Sequence, residues 1–153
     1  MIEVKITTKK AFALLNLIKT LNLKDTILDT VKKFIKLDAK KQELYRELYS
    51  KSEEEITKDN EKDIAIRLLN ENKDIAEKLS DLEEEFKEDG MKLVFELIEK
   101  IPEGEKEFYK TMSVVFNESV KIVEEKEIDE VVEMIIAIFK SKSFQGLSSV
   151  MNK

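Results

Sequence analysis

The sequence predicts an all-α fold: a small multi-helix domain with a long central helical or coiled segment and a short extended N-terminal arm. Three observations carry that expectation. Only three Gly and one Pro punctuate 153 residues, so few turns are available. Charged residues make up 39% of the chain and apolar ones 42%, dominated by Glu, Lys, Leu and Ile, which favour helices over a sandwich or barrel. Along most of the chain the apolar residues recur at helical spacing rather than alternating.

The elements follow in order. Ile2, Val4 and Ile6 alternate with Glu3, Lys5 and Thr7, a strand period over too few residues to make a sheet. It reads as an extended arm that docks, or pairs with another copy. Thr8 suits a helix N-cap, and Ala11, Phe12, Leu14, Leu15, Ile18 and Leu21 make a wide apolar stripe ending near Asn22. A second helix starts near Asp25, carries Ile27, Leu28, Val31, Phe34 and Ile35, and runs on through Leu44, Tyr45, Leu48 and Tyr49. Residues 1–49 are thus arm and helices. Residues 50–63 hold one aliphatic side chain, Ile56, and read as a polar linker or mobile loop.

Residues 64–90 read as one charged amphipathic helix. A heptad can be written through it, with Ala65, Asn72, Leu79 and Phe86 at a and Leu68, Ile75 and Leu82 at d. Buried Asn at an a position sets register and strand number in coiled coils, so Leu68, Asn72, Ile75, Leu79 and Leu82 are the candidate oligomerisation seam. The competing reading is a helix lying on its own domain. Gly90 is expected to break or kink it.

Residues 91–153 read as a C-terminal helical unit, with the whole chain one domain. Leu93, Val94, Leu97, Ile98 and Ile101 form a helix that Pro102 stops. Glu103 and Glu105 suit the positive N-terminal end of the next helix, whose face is Phe108, Tyr109, Met112, Val115 and Phe116. A loop or single turn follows over 117–126, with Ser119 as cap and Val120, Ile122 and Val123 as anchors. Asp129 is expected to cap the last main helix, with Val131, Val132, Ile135, Ile136 and Phe139 facing the core. Met134, Ala137 and Ile138 make its stripe wider than a half-buried helix needs. Phe144, Leu147, Val150 and Met151 then lie in a Ser/Gly-containing tail.

The chemistry available is narrow. With no Cys there are no disulfides, thiolate nucleophiles or Cys-based zinc sites. With no His, Ser-His-Asp triads, HExxH sites and Glu-x-x-His di-iron bundles fall away. No phosphate-binding glycine motif is present. The acidic clusters at 53–55, 83–85 and 124–125 lack the fixed turn that makes carboxylates converge on a cation, and 59–63 lacks the Gly and distal Glu of an EF-hand loop. A non-enzymatic protein with no cofactor and no metal is expected. No secretory leader is legible, and no stretch nears the roughly 20 apolar residues of a membrane span, so a cytoplasmic protein without a membrane partner is expected.

Charge is uneven. Residues 1–50 carry eleven Lys/Arg against six Asp/Glu, and residues 51–153 carry sixteen against twenty-seven. Lys32, Lys36 and Lys40 share one helix face, with Lys33 and Lys41 beside them, and such a face meets phosphates. Asp29, Asp38 and Glu43 dilute it, so a nucleic-acid-binding regulator is a lesser alternative to a solvated surface. Partner contact is better sought in the aromatic C-terminal third. The candidate partner-binding residues are Phe108, Tyr109, Met112, Met134, Ile138, Phe139, Phe144 and Leu147, the last two placed to dock on a groove in this chain or another.

The string LVFELIEKIPEGEKEFYKTMSVVF at 93–116, then IDEVVEMIIAIFKSKSFQGL at 128–147, resembles the tail assembly chaperones of long-tailed bacteriophages, those of prophages in low-GC Gram-positive bacteria above all. There an apolar helix meets a Pro–acidic turn, an aromatic-containing helix follows, and a capped segment leads to a last helix and a Phe-containing end. The stretch TTKKAFALLNLIKTLNLKD at 7–25 is similar to the family's opening helix. The resemblance covers 1–35 and 91–147, about three fifths of the chain, and departs at Gln145, Gly146 and Leu147. Residues 36–90 do not share it. It implies a viral protein that is not an enzyme. Such a protein binds and solubilises the tape-measure protein, helps recruit tail-tube protein, works in the bacterial host cytoplasm and is absent from the mature virion. The alternative reading is a helical adaptor or homo-oligomer acting through the 65–86 heptad.

Overall fold

The computed structural model describes residues 2–151 and the side-chain surroundings of residues 2–146. It is all-α, with no strand among the described residues. The chain forms two compact units. The first comprises Met1–Val31 and Met91–Lys153, and the second Lys32–Gly90. The division does not fall at the polar loop but within two long helices.

The first unit opens on the arm, which is extended but unpaired. It docks through half-buried Val4 and Ile6 against the first core. Helix α1 (Thr8–Thr20) is capped one residue earlier than expected, by Thr7, whose Oγ1 accepts from the Lys10 N–H at 3.4 Å. Its core line is Leu14, Leu17, Ile18 and Leu21. The stripe is therefore narrower than the sequence suggested, and Phe12 and Leu15 fall outside it, exposed. Asn22 adopts a left-handed φ of 53°, and the Leu23 N–H reaches back to the Ile18 carbonyl at 2.9 Å. That closes the helix and drops Leu23 into the core. Helix α2 (Lys24–Tyr49) gives this unit Ile27 and Val31.

Helices α3 (Glu61–Glu71) and α4 (Lys73–Lys100) come next in the chain. From α4 the first unit takes Leu93, Val94, Leu97 and Ile98. Pro102 ends α4 as expected, through a 3-10 turn at Ile101–Gly104 that leads into α5 (Glu105–Phe116). A β-carbon at Gly104 would come 2.9 Å from Leu21 Cδ2, so glycine is what lets this turn press on the end of α1. Helix α5 packs along α1, with Phe108, Met112 and Val115 buried. The buried Thr111 hydroxyl donates to the Ala13 carbonyl at 3.4 Å, which ties the two helices.

Asn117, at φ 55°, ends α5. Ser119 caps the short α6 (Val120–Glu124), its Oγ accepting from the Ile122 N–H at 3.3 Å. Only Val123 anchors α6; Val120 and Ile122 point outward. Glu127 rather than Asp129 caps α7 (Ile128–Lys140), and the Glu130 carboxylate accepts from the Glu127 N–H at 3.1 Å. The last segment is not an irregular tail. It forms α8 (Lys142–Met151), packed on α7.

The second unit holds the rest of α2, the loop, α3 and the first part of α4. Its core is Leu48, Ile64, Leu68, Ile75 and Leu79, flanked by Leu44, Tyr45, Tyr49 and Leu69. The rings of Phe34 and Phe86 meet at 5.5 Å. The loop at 50–60 is folded on itself. Asn60 Oδ1 accepts from the Thr57 N–H at 2.7 Å, and Asn60 Nδ2 donates to the Glu55 carbonyl at 3.0 Å. An exposed ion pair, Arg67–Glu54 at 2.9 Å, adds little stability.

Two expectations about the middle of the chain are corrected. The helix does not run unbroken through the heptad: it stops at Asn72, which has φ −123° and ψ 70° and donates from Nδ2 to the Leu68 carbonyl at 2.8 Å. Nor does Gly90 break α4, which passes straight through it.

Candidate partner-binding surface

Two apolar features mark the first unit. One is a partly open pocket of about 50 Å³, reached by α1, α2, α4, α5, α7 and α8. Leu17 and Leu21 form one wall, Phe108 and Met112 another, and Phe139 and Phe144 a third. All of its lining side chains are apolar, so it has nothing to hold a metal, a charged ligand or an ordered water. The Phe139 and Phe144 rings meet edge to face at 5.1 Å.

The second feature is a set of large apolar side chains left in solvent. Phe12 is 61% exposed, Phe95 59% and Ile128 63%. Ile2, Leu15, Met91, Val120 and Ile122 are exposed as well, all in the first unit. In the second unit Ile35, Ile56 and Ile66 are exposed. That unit is dense in charge instead, with thirteen Lys/Arg and eighteen Asp/Glu in 59 residues. The first unit carries the remaining fourteen and fifteen, so most of the net charge of −6 belongs to the second. Single exposed apolar residues are ordinary, and a contiguous patch of them would be a candidate for partner contact.

The expected partner-binding residues are distributed differently. Phe108, Met112, Met134, Ile138 and Phe144 are buried, and Tyr109 and Phe139 are half-buried. Phe108, Met112, Met134, Ile138 and Phe144 belong to the core, with Tyr109 and Phe139 packed against it, α5 lying along α1 and α8 on α7. The Leu147 side chain lies outside the described residues. Phe12, expected on the apolar stripe of α1, is exposed, as are Met91, Phe95 and Ile128. Phe95 and Met91 carried a usable signal, being large apolar residues off the stripe of their own helix.

The residues of the candidate oligomerisation seam pack within the second unit. Leu68, Ile75 and Leu79 are buried in the second core, Leu82 is buried too, and Asn72 ends α3. On the basic face, Lys32, Lys33, Lys36 and Lys40 are all exposed.

Tyr109 of α5 is tied to a carboxylate on its own helix. Its hydroxyl donates to Glu105 Oε1 at 2.9 Å, and that bond, with partial burial behind it, raises the phenol pKa above its ordinary value of about 10. Lys126 Nζ lies 3.3 Å from Glu118 Oε2 and pins the segment around α6. Among the described residues no group of three His, Cys, Asp or Glu side chains converges on a cation position. Nor is any helix long and apolar enough to cross a membrane. The chain matches no protein-family model, no curated protein and no solved structure.

Proposed function

We propose that this chain is a non-enzymatic tail assembly chaperone of a long-tailed phage or prophage. In this reading it binds the tape-measure protein, keeps it soluble in the host cytoplasm, and helps bring tail-tube subunits to it. The observation that supports the reading best is a coincidence of boundaries. The segments that resemble the family, 1–35 and 91–147, lie far apart in sequence, yet they fall almost wholly within one compact unit, 1–31 with 91–153. That unit also carries the apolar pocket and most of the exposed large apolar residues. A holdase needs such a surface together with enough charge to stay dispersed, and the second unit supplies the charge.

The test is co-expression with the tape-measure protein encoded beside this chain. The chain should raise the soluble yield of that client and co-purify with it. The pair Phe12→Asp and Phe95→Asp, both at exposed sites, should cut co-purification while helicity stays unchanged. A client whose solubility is indifferent to this chain overturns the proposal.

A further inference from the structure

The arm before α1 has the pattern of a strand and no strand to pair with. In extended backbone Ile2, Val4 and Ile6 share one face, and Glu3 and Lys5 share the other. Val4 and Ile6 pack against the first core but stay half-buried, and Ile2 is 39% exposed, so the unit covers this apolar row only in part. Glu3 and Lys5 are exposed, and neither joins an ion pair among the described residues. Among those residues no backbone–backbone hydrogen bond reaches 2–6 either. An extended edge left unpaired in this way is a template for another strand.

The order of the side chains says which strand fits. A partner strand must set apolar residues opposite apolar ones, because a slip of one residue puts Ile or Val opposite a charge. For two copies of the arm, a parallel in-register pair sets Glu3 beside Glu3 and Lys5 beside Lys5, which repel. Antiparallel pairs centred on Glu3 or on Lys5 meet the same like charges at their centre. The antiparallel pair centred on Val4 does not. It sets each Glu3 opposite the Lys5 of the other copy, each Ile2 opposite the other Ile6, and Val4 opposite Val4. Both faces then match about one two-fold axis. A two-stranded ribbon is marginal alone, but each arm already rests its apolar face on a helical core.

We infer that residues 2–6 are a self-pairing strand, and that a second copy of this chain docks there in an antiparallel ribbon centred on Val4. The contact is smaller than a standard interface, so the dimer is weak and forms as concentration rises. Nothing in the pairing depends on tape-measure binding, and a failed client test leaves it standing.

Sedimentation equilibrium of the full chain checks this at loadings from about 1 μM to about 1 mM, the range in which so small an interface associates. The unaltered chain should pass from monomer to dimer. Glu3→Lys alone and Lys5→Glu alone should each weaken that step on the order of tenfold, since two attractive cross-strand pairs become repulsive. An equimolar mixture of the two variants should regain it, because each lysine of one arm then faces a glutamate of the other. Raised salt should weaken the dimer of unaltered chains. Both substitutions are at exposed sites, so helicity by circular dichroism should stay unchanged. A chain that stays monomeric throughout, a dimer indifferent to both reversals, or a mixture that does not regain association overturns the inference.

Discussion

Tyr109 shows how one side chain reports on its surroundings. The hydroxyl bonds a carboxylate one turn earlier on α5, and the negative oxygen penalises phenolate. Because the folded pKa lies above the ordinary value of about 10, the contribution to stability is complete below that pH and is lost as pH rises through the folded value. Tyr109→Phe should therefore remove one phenol from those ionising above the ordinary range, as followed by near-ultraviolet absorbance. Stability near neutral pH should change little, since the bond is exposed. Tyr49 is raised as well, but by burial first and Glu61 second, so its titration should respond to loosening of the second unit rather than to one substitution.

At the scale of elements, Asn72 ends a helix and Gly90 does not. Asn72 closes α3 with its own side chain while its carbonyl accepts from the Ala76 N–H at 3.1 Å, starting α4. Asn72→Leu should cost roughly 0.5–1.5 kcal/mol by losing the side-chain bond, with no change in mass by light scattering. A rise in stability together with a larger particle would restore the coiled-coil reading. Gly90 sits inside α4 without a positive φ, and a β-carbon there would meet Phe34 Cζ at 3.9 Å, an ordinary contact. Gly90→Ala should stabilise the chain by about 0.5–1 kcal/mol, measured by denaturant unfolding. The rule that glycine breaks helices misleads here because the flanking stripe, Phe86 on one side and Leu93 and Val94 on the other, holds the helix by packing.

At the scale of the molecule, the two cores share no residue. Leu48 is fully buried in one and Met112 all but buried in the other. Each truncation to Ala should cost about 2–5 kcal/mol. Leu48→Ala should first speed amide exchange in α3 and the adjoining loop, and Met112→Ala in α1 and α5. Equal acceleration everywhere after either change would mean one cooperative unit.

By itself the sequence determined the helical class, because scarce Gly and Pro and a 3.6-residue apolar period leave few other solutions. It also determined the stop at Pro102, the extent of α2 and the absence of His and Cys chemistry, which are local or compositional facts. Which apolar residues stay exposed was not legible, because period shows only which face is apolar. Whether that face meets another chain or its own depends on what folds over it. Tertiary structure alone decided that residues 1–31 and 91–153 form one unit, that α8 turns Phe144 inward, and that Phe12 and Phe95 stay in water. Those outcomes depend on contacts between residues far apart in the chain, and no local pattern encodes them.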